Sequence, residues 1–212
     1  MSFREVEKES FYRLLEARRD VRSGFLDKEI PEKILKRILS AAHHAPSVGF
    51  LQPWDFLIIR SDEIKQKIKS NFLAVKEREA QFFTGEMKKL YEQLKLEGIL
   101  EAPINLCVTC DLKRDESNQL GRSEQNQMDV YSTVCAIQNM WLAARVEGIG
   151  MGWVSILEES HIREVLKLPE SRKLIGYFCL GYVDEFKNQP ELESKGWNKR
   201  LDLDDIIRYD TW

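Results

Sequence analysis

Residues 126–147 place the tightest limit on what this chain can fold into. At helical spacing Val130, Tyr131, Val134, Ile137, Met140, Trp141, Ala143 and Ala144 spread around nearly the whole circumference instead of along one stripe. A helix apolar all round has to be covered on every side. In a chain of 212 residues it therefore belongs at the centre of a domain or in a contact between subunits. That length fits a single domain, 1–212, with enough chain to bury a sizeable core.

The flanking segments supply partners for such a helix. Residues 3–18 read as a helix with Phe3, Val6, Phe11, Leu14 and Leu15 among charges. A second helix is expected to start at Pro31, with Ile34, Leu35, Ile38, Leu39 and Ala42 as its apolar stripe, and to end near Pro46. Trp54–Ile59, residues 104–110, the glycine-rich run 148–156 and Leu174–Val183 read as strands. Ser61 is placed to cap a long helix, and helix 160–167 stops before Pro169. Residues 113–125 read as polar loop. No repeat or linker divides the chain, and helices and strands alternate without a regular βαβ rhythm, so the expected class is α+β. Residues 75–98 stand apart as a charged helical excursion, broken at Gly85, whose Phe82, Phe83, Met87 and Tyr91 suit a cover. The segment 184–212 is a polar tail with isolated Phe186, Leu192, Trp197 and Trp212.

Composition removes several function classes. With 43% hydrophobic and 32% charged residues the chain is globular, and a net charge of −3 argues against a nucleic-acid partner. No uncharged apolar run approaches the roughly 18 residues that span a bilayer. The N-terminal MSFREVEKES lacks an apolar signal core, which points to a cytoplasmic setting. Cys107 and Cys110 have no second pair or nearby His to complete a zinc set, so no metal is expected. In a strand their spacing of three turns them to opposite faces, as reduced packing residues. His43, His44 and His161 form no pattern and read as ordinary structural or surface histidines.

Three segments carry possible chemistry. Arg18-Arg19-Asp20-Val21-Arg22 sets three arginines after a helix, able to clamp an anion such as phosphate, though a solvated basic turn satisfies the same residues. Asp20 weakens a phosphate clamp and needs its own reason, local hydrogen bonding or proton transfer. Ala45-Pro46-Ser47-Val48-Gly49-Phe50-Leu51-Gln52-Pro53-Trp54 is a rigid loop expected to leave amides free for a ligand, with Ser47 and Gln52 as hydrogen-bonding side chains and Trp54 as a flat surface. A rigid turn over a buried Trp is the plain alternative. Gly148-Ile149-Gly150-Met151-Gly152-Trp153-Val154-Ser155-Ile156 puts glycines in a strand, a mark of close approach by a ligand or another backbone. Ser155 has no Ser-His-Asp partners.

Taken in order, these three segments resemble the nitroreductase-like flavoprotein family, with its R-R-x-x-R motif, its P-S-x-x-x-x-Q-P-W loop and its late glycine-rich G-W strand. The likeness spans nearly the full length. Asp20 stands where ordinary nitroreductases usually carry Ser. It joins Ala45–Trp54, Cys107–Asp111, Met128–Cys135 and Gly152–Ile156 in resembling the BluB branch, the 5,6-dimethylbenzimidazole synthases. That resemblance implies a nitroreductase-like α+β fold with a central mixed or antiparallel sheet flanked by helices, in an intertwined homodimer. It implies an enzyme that fragments reduced FMN with O2 to 5,6-dimethylbenzimidazole, the lower ligand of vitamin B12, and erythrose 4-phosphate. A separate flavin reductase supplies the reduced FMN.

By resemblance, Arg18, Arg19 and Arg22, with Asp20 and Val21 in the same turn, hold the phosphate and ribityl chain. Pro46, Ser47, Val48, Gly49 and Gln52 line the flavin from the partner subunit, and Gly152, Trp153, Val154 and Ser155 approach the ring edge. Asp20 and Ser155 match the catalytic pair. Arg200, beside Lys199, sits where relatives place a basic residue near the phosphate. The stretch 75–98 matches the family's lid, and 184–212 extends to the partner. Two other readings stay open: an FMN-dependent NAD(P)H nitro- or quinone reductase, and a non-catalytic flavin-binding protein.

Overall fold

The run INLCVTCD lies at the centre of the molecule. All eight residues of this strand, β2 (Ile104–Asp111), are buried, as befits an inner strand covered on both faces. With β1 (Trp54–Ile59), β3 (Ile149–Val154) and β4 (Arg172–Tyr182) it forms a four-stranded sheet ordered β1-β2-β4-β3, every neighbouring pair antiparallel. Among the described residues the one parallel pairing is an isolated bridge between Asp20 and Met151 on the outer edge of β3. The computed structural model describes residues 2–115, 117 and 119–212.

Strand alternation sorts the core into two layers. On one face Leu106, Val108, Met151, Phe178 and Leu180 pack against α2 (Glu32–His43) and α5 (Met128–Val146). On the other, Cys107, Val154, Tyr177 and Cys179 meet Ile68 and Phe72 of α3 (Asp62–Glu79) and Ile162 of α6 (Glu159–Leu166). Cys107 thus lies in the α3 layer, while burial raises the Cys110 thiol pKa and Thr133 of α5 acts to lower it, so the pair does face opposite ways. All four cysteines are unpaired, and burial pushes the Cys107 thiol up to about 12.

Helix α5 takes the central placement on one side only. Ala136, Ile137, Met140, Trp141 and Ala144 are buried against the sheet, whereas Tyr131, Val134, Cys135 and Val146 remain exposed on the outward side. Helix α1 (Glu5–Ala17) buries no residue and exposes Val6, Phe11 and Tyr12. Beyond a last short helix, α7 (Glu191–Ser194), the tail exposes Leu201, Leu203, Ile206, Tyr209 and Trp212. No helix is long and apolar enough to cross a membrane among the described residues.

Three boundaries differ from expectation. Pro31 has ψ 138°, outside the helix, so it caps α2 instead of opening it. Gly148 makes a left-handed turn at φ 71°, which delays β3 to Ile149, and the strand ends at Val154, leaving Ser155 beyond it. The excursion 75–98 begins inside α3, turns at Ala80–Phe82 and continues as α4 (Gly85–Gln93).

The fully buried Met140 sits where α5 meets the sheet. Met140→Ala is expected to cost about 2–5 kcal/mol by leaving a cavity, measured as a shift in the urea midpoint at unchanged slope.

Candidate active site

The arginine turn is docked backbone-first onto β3. Arg18 leaves α1 in an extended conformation (φ −67°, ψ 135°). Asp20 then bridges to Met151, and Val21 N–H donates to the Met151 carbonyl at 3.1 Å. This approach tolerates no side chain at position 152, where a Cβ would lie 1.9 Å from the Val21 carbonyl oxygen. The glycine that sequence reading marked for close approach meets its own chain's backbone.

Both oxygens of Asp20 are engaged. Oδ1 accepts from the Trp153 backbone N–H at 2.9 Å, and Oδ2 accepts from Arg22 Nη2 at 2.5 Å. Local hydrogen bonding is therefore one reason for a carboxylate here, and it fixes the group in direction.

The three arginines do not form one planar clamp within this chain. Arg22 faces Asp20. Arg19 donates from Nη1 to the Glu16 and Arg18 carbonyls at 2.5 and 2.7 Å, and from Nη2 to the Asn188 carbonyl, while its buried Nε has no partner. Arg18 lies over the Trp141 ring at 5.1 Å and its guanidinium donates no hydrogen bond among the described residues. Burial lowers the Arg18 pKa, Asp20 opposes that shift, and the charges of Arg19 and Arg200 add to it. A guanidinium stays charged regardless. Arg200, exposed in the tail, therefore lies close enough for Arg18 to feel its charge.

The loop before β1 consumes its own amides, contrary to expectation. Val48 N–H donates to Ser132 Oγ of α5 at 3.1 Å, Phe50 N–H to the Ser47 carbonyl at 3.1 Å, Leu51 N–H to the Val48 carbonyl at 3.1 Å, and Gln52 N–H to Ser47 Oγ at 3.0 Å. The Gln52 side chain also turns inward, donating to the Phe50 carbonyl at 2.6 Å. Pro46 and Phe50 are exposed, with Ser47, Val48 and Gly49 half-buried. Trp54 is buried, its Nε1 donating to His43 Nδ1 at 3.2 Å, so it is not an open platform.

At the end of β3, Trp153 packs with Phe178 at 4.9 Å and Trp141 at 6.4 Å between ring centroids. The Val154 side chain belongs to the α3 core layer. Val21 is likewise buried. Ser155 is exposed, and among the described residues no hydrogen bond joins it to Asp20.

One chain does not bring the two halves together. The loop contacts α5 at Ser132 and the arginine turn contacts it at Trp141, whose Nε1 donates to the Arg19 carbonyl at 3.1 Å. Nine residues of helix separate them, about 14 Å. The sheet agrees, since the loop feeds edge strand β1 and the turn lies on edge strand β3.

Tail and excursion meet in an aromatic cluster. Phe83 stacks on Tyr91 at 4.8 Å, and Trp197 stands edge-on to Phe83 at 5.3 Å. Tyr91 donates to Glu79 at 2.6 Å, and burial followed by that bond raises its pKa. Phe82 is left 82% exposed, and Met87 is also exposed.

Sequence reading missed the supports. Trp141 carries Arg18, Ser132 holds Val48, and Arg114 grips the loop from a polar turn. Trp141 and Ser132 lie on a helix whose composition signals packing, and a lone arginine in a loop carries no signal at all.

Comparison with known proteins settles the family. The Nitroreductase family model matches residues 15–182. The chain belongs to the Nitroreductase family. It is 37% identical over 187 residues to a 5,6-dimethylbenzimidazole synthase of Rhodospirillum rubrum, covering 88% of each protein. It is 31% identical to one of Rhodobacter capsulatus, covering 95% of this chain and 97% of that protein. Among solved structures it resembles oxidized iodotyrosine deiodinase bound to FMN and 3-iodo-L-tyrosine, with a TM-score of 0.75 at 22% identity over 95% of this chain and 99% of that one. A nitroreductase family protein of Clostridium difficile gives a TM-score of 0.66 at 21% identity, with both chains fully covered. The α+β fold is that of the family.

Gly152→Ala is expected to destabilise the protein by about 3 kcal/mol or more, because the clash is with backbone. Chemical denaturation reads the loss, and Gly196→Ala, with nothing near its Cβ site, is the comparison for a left-handed surface glycine.

Proposed function

We propose that this protein fragments reduced FMN with dioxygen to 5,6-dimethylbenzimidazole and erythrose 4-phosphate. The observation that carries the reading is Asp20, a carboxylate held between the Trp153 amide and Arg22 at the edge of the arginine turn. A retained-flavin reductase has no need of it. The relatives of 37% and 31% identity bear the name of that synthase, which supports the same reading.

The residues present suit FMN. Arg18 has its guanidinium donors open and Arg19 has a buried Nε without a partner, both fit for phosphate oxygens. Arg22 and Arg200 add charge, Val21 supports the turn, and Trp153 gives a flat apolar flank. Pro46, Ser47, Val48, Gly49 and Gln52 line the ring from a second copy, since one chain holds its half-sites about 14 Å apart along α5. Gly152, Val154 and Ser155 meet the ring edge.

Reduced FMN supplies the ring electrons that react with dioxygen. The chain positions and protects that chemistry. Asp20 Oδ1 and Oδ2, already fixed in direction, take or hold the proton of the ribityl carbon next to the ring. The Ser155 hydroxyl, free at the strand end, donates to the ring and orients it. Residues 75–98 close over the site and exclude water, with Phe82 and Met87 as the uncovered apolar contacts. A separate flavin reductase delivers reduced FMN, and four unpaired cysteines suit a reducing cytoplasm.

The protein mixed with photoreduced FMN and exposed to air should lose flavin absorbance permanently and yield dimethylbenzimidazole. Quantitative return of oxidised FMN would sink the reading, and NADPH turnover would then mark a reductase. Asp20→Asn should slow product formation by about 100-fold or more.

Light scattering should give twice the 24.9 kDa of one chain. Val134→Asp, on the exposed stripe of α5, should give monomer and weaken FMN binding together.

A further inference from the structure

The loop before β1 keeps a backbone shape that its own residues disfavour. Gly49, Phe50 and Gln52 have φ of 54°, 55° and 49°. Glycine accepts this freely, whereas each of the other two is strained there and persists only when surroundings hold it. The bonds from Gln52 N–H to Ser47 Oγ and from the Gln52 side chain to the Phe50 carbonyl lie inside the loop and move with it. Val48 is tied to Ser132 at one end. At the other end the Asp111 N–H donates to the Pro53 carbonyl at 2.7 Å, and Arg114 supplies the side-chain tie.

Arg114, in the turn after β2, donates from Nη1 to the carbonyls of Gln52 and Trp54, the latter at 3.2 Å, and from Nη2 to Asp55 Oδ1 at 2.6 Å. Its Nε lies 3.5 Å from Asp111 Oδ2. Arg172 closes a ring, pairing with Asp55 and Asp111 at 2.7 Å each. The ring alternates in sign across the ends of β1, β2 and β4. Arg114, Arg172 and Asp55 are partly exposed, with Asp111 buried, so each pair adds little stability alone. A closed ring nevertheless fixes which way the guanidinium fork points, and a lysine offers no such fork.

We propose that Arg114 is the positioning residue of the flavin-lining loop, holding Phe50 and Gln52 in their left-handed shape so that Pro46–Gly49 keep a binding geometry. The consequence for ligand rests on the FMN reading, whereas the ordering of the loop does not.

Two measurements separate these. In flavin-free protein, Arg114→Met should speed hydrogen exchange in a peptide spanning 46–53 by about tenfold or more, with the melting temperature moved by only a few degrees. Unchanged exchange overturns the proposal, and so does acceleration throughout the molecule or a collapse in melting temperature, either of which makes Arg114 a general stability residue. Arg114→Lys should fail to restore protection, and full restoration would show that charge suffices and overturn the role of the fork. Arg60→Met, which loses only an exposed pair with Glu32, should leave exchange in 46–53 unchanged. FMN titration by fluorescence should then show affinity weakened about tenfold or more in Arg114→Met. Faster exchange with undiminished affinity would retain the loop-ordering role and remove this loop from the flavin site.

Discussion

The site depends on one backbone approach, the laying of Asp20 and Val21 along β3 at Gly152. The Val21 amide bonds to Met151, and the missing Cβ at 152 leaves room for the Val21 carbonyl. That contact brings Asp20 to the Trp153 amide and Arg22 to Asp20. It also sets Arg18 over Trp141, since the turn can leave α1 in only one direction once its far end is fastened. A strand-edge contact thus sets the carboxylate and the arginine turn beside the aromatic wall, and a Cβ at 152 would clash with the Val21 backbone that makes it.

The same sheet explains why the candidate site is divided. The arginine turn occupies the β3 edge and the proline-rich loop feeds the β1 edge, with two strands between them. Helix α5 touches both, but nine residues apart. Its outward stripe of Tyr131, Val134 and Val146, the uncovered α1 and the apolar residues of the tail all lack cover in one chain. Exposed apolar surface of this kind marks a contact site.

The tail connects further features. Asn188 accepts from Arg19, the Phe186 ring lies 3.7 Å from the Arg145 guanidinium, and Trp197 joins Phe83 and Tyr91. The arginine turn and the excursion 75–98 are thus linked through one stretch of chain, although they are distant in sequence.

The sequence by itself determined the elements and the chemistry they carry. The strand-like run INLCVTCD, the all-round apolar helix at 128–146 and the Ser61 cap are local signals, and each element formed where they stood. Asp20 among arginines and glycine at 152 were also visible as exceptions to their surroundings. Only the tertiary structure decided what those groups touch. Gly152 meets Val21, the loop's amides close on the loop, Val154 turns into the core, and Arg114 reaches back across the sheet from a polar turn. The contacts of Asp20 with Trp153 and of Arg114 with Gln52 join residues about 60 to 130 positions apart. Their partners are chosen by strand order and side-chain direction, and neither is written in any local pattern of residues.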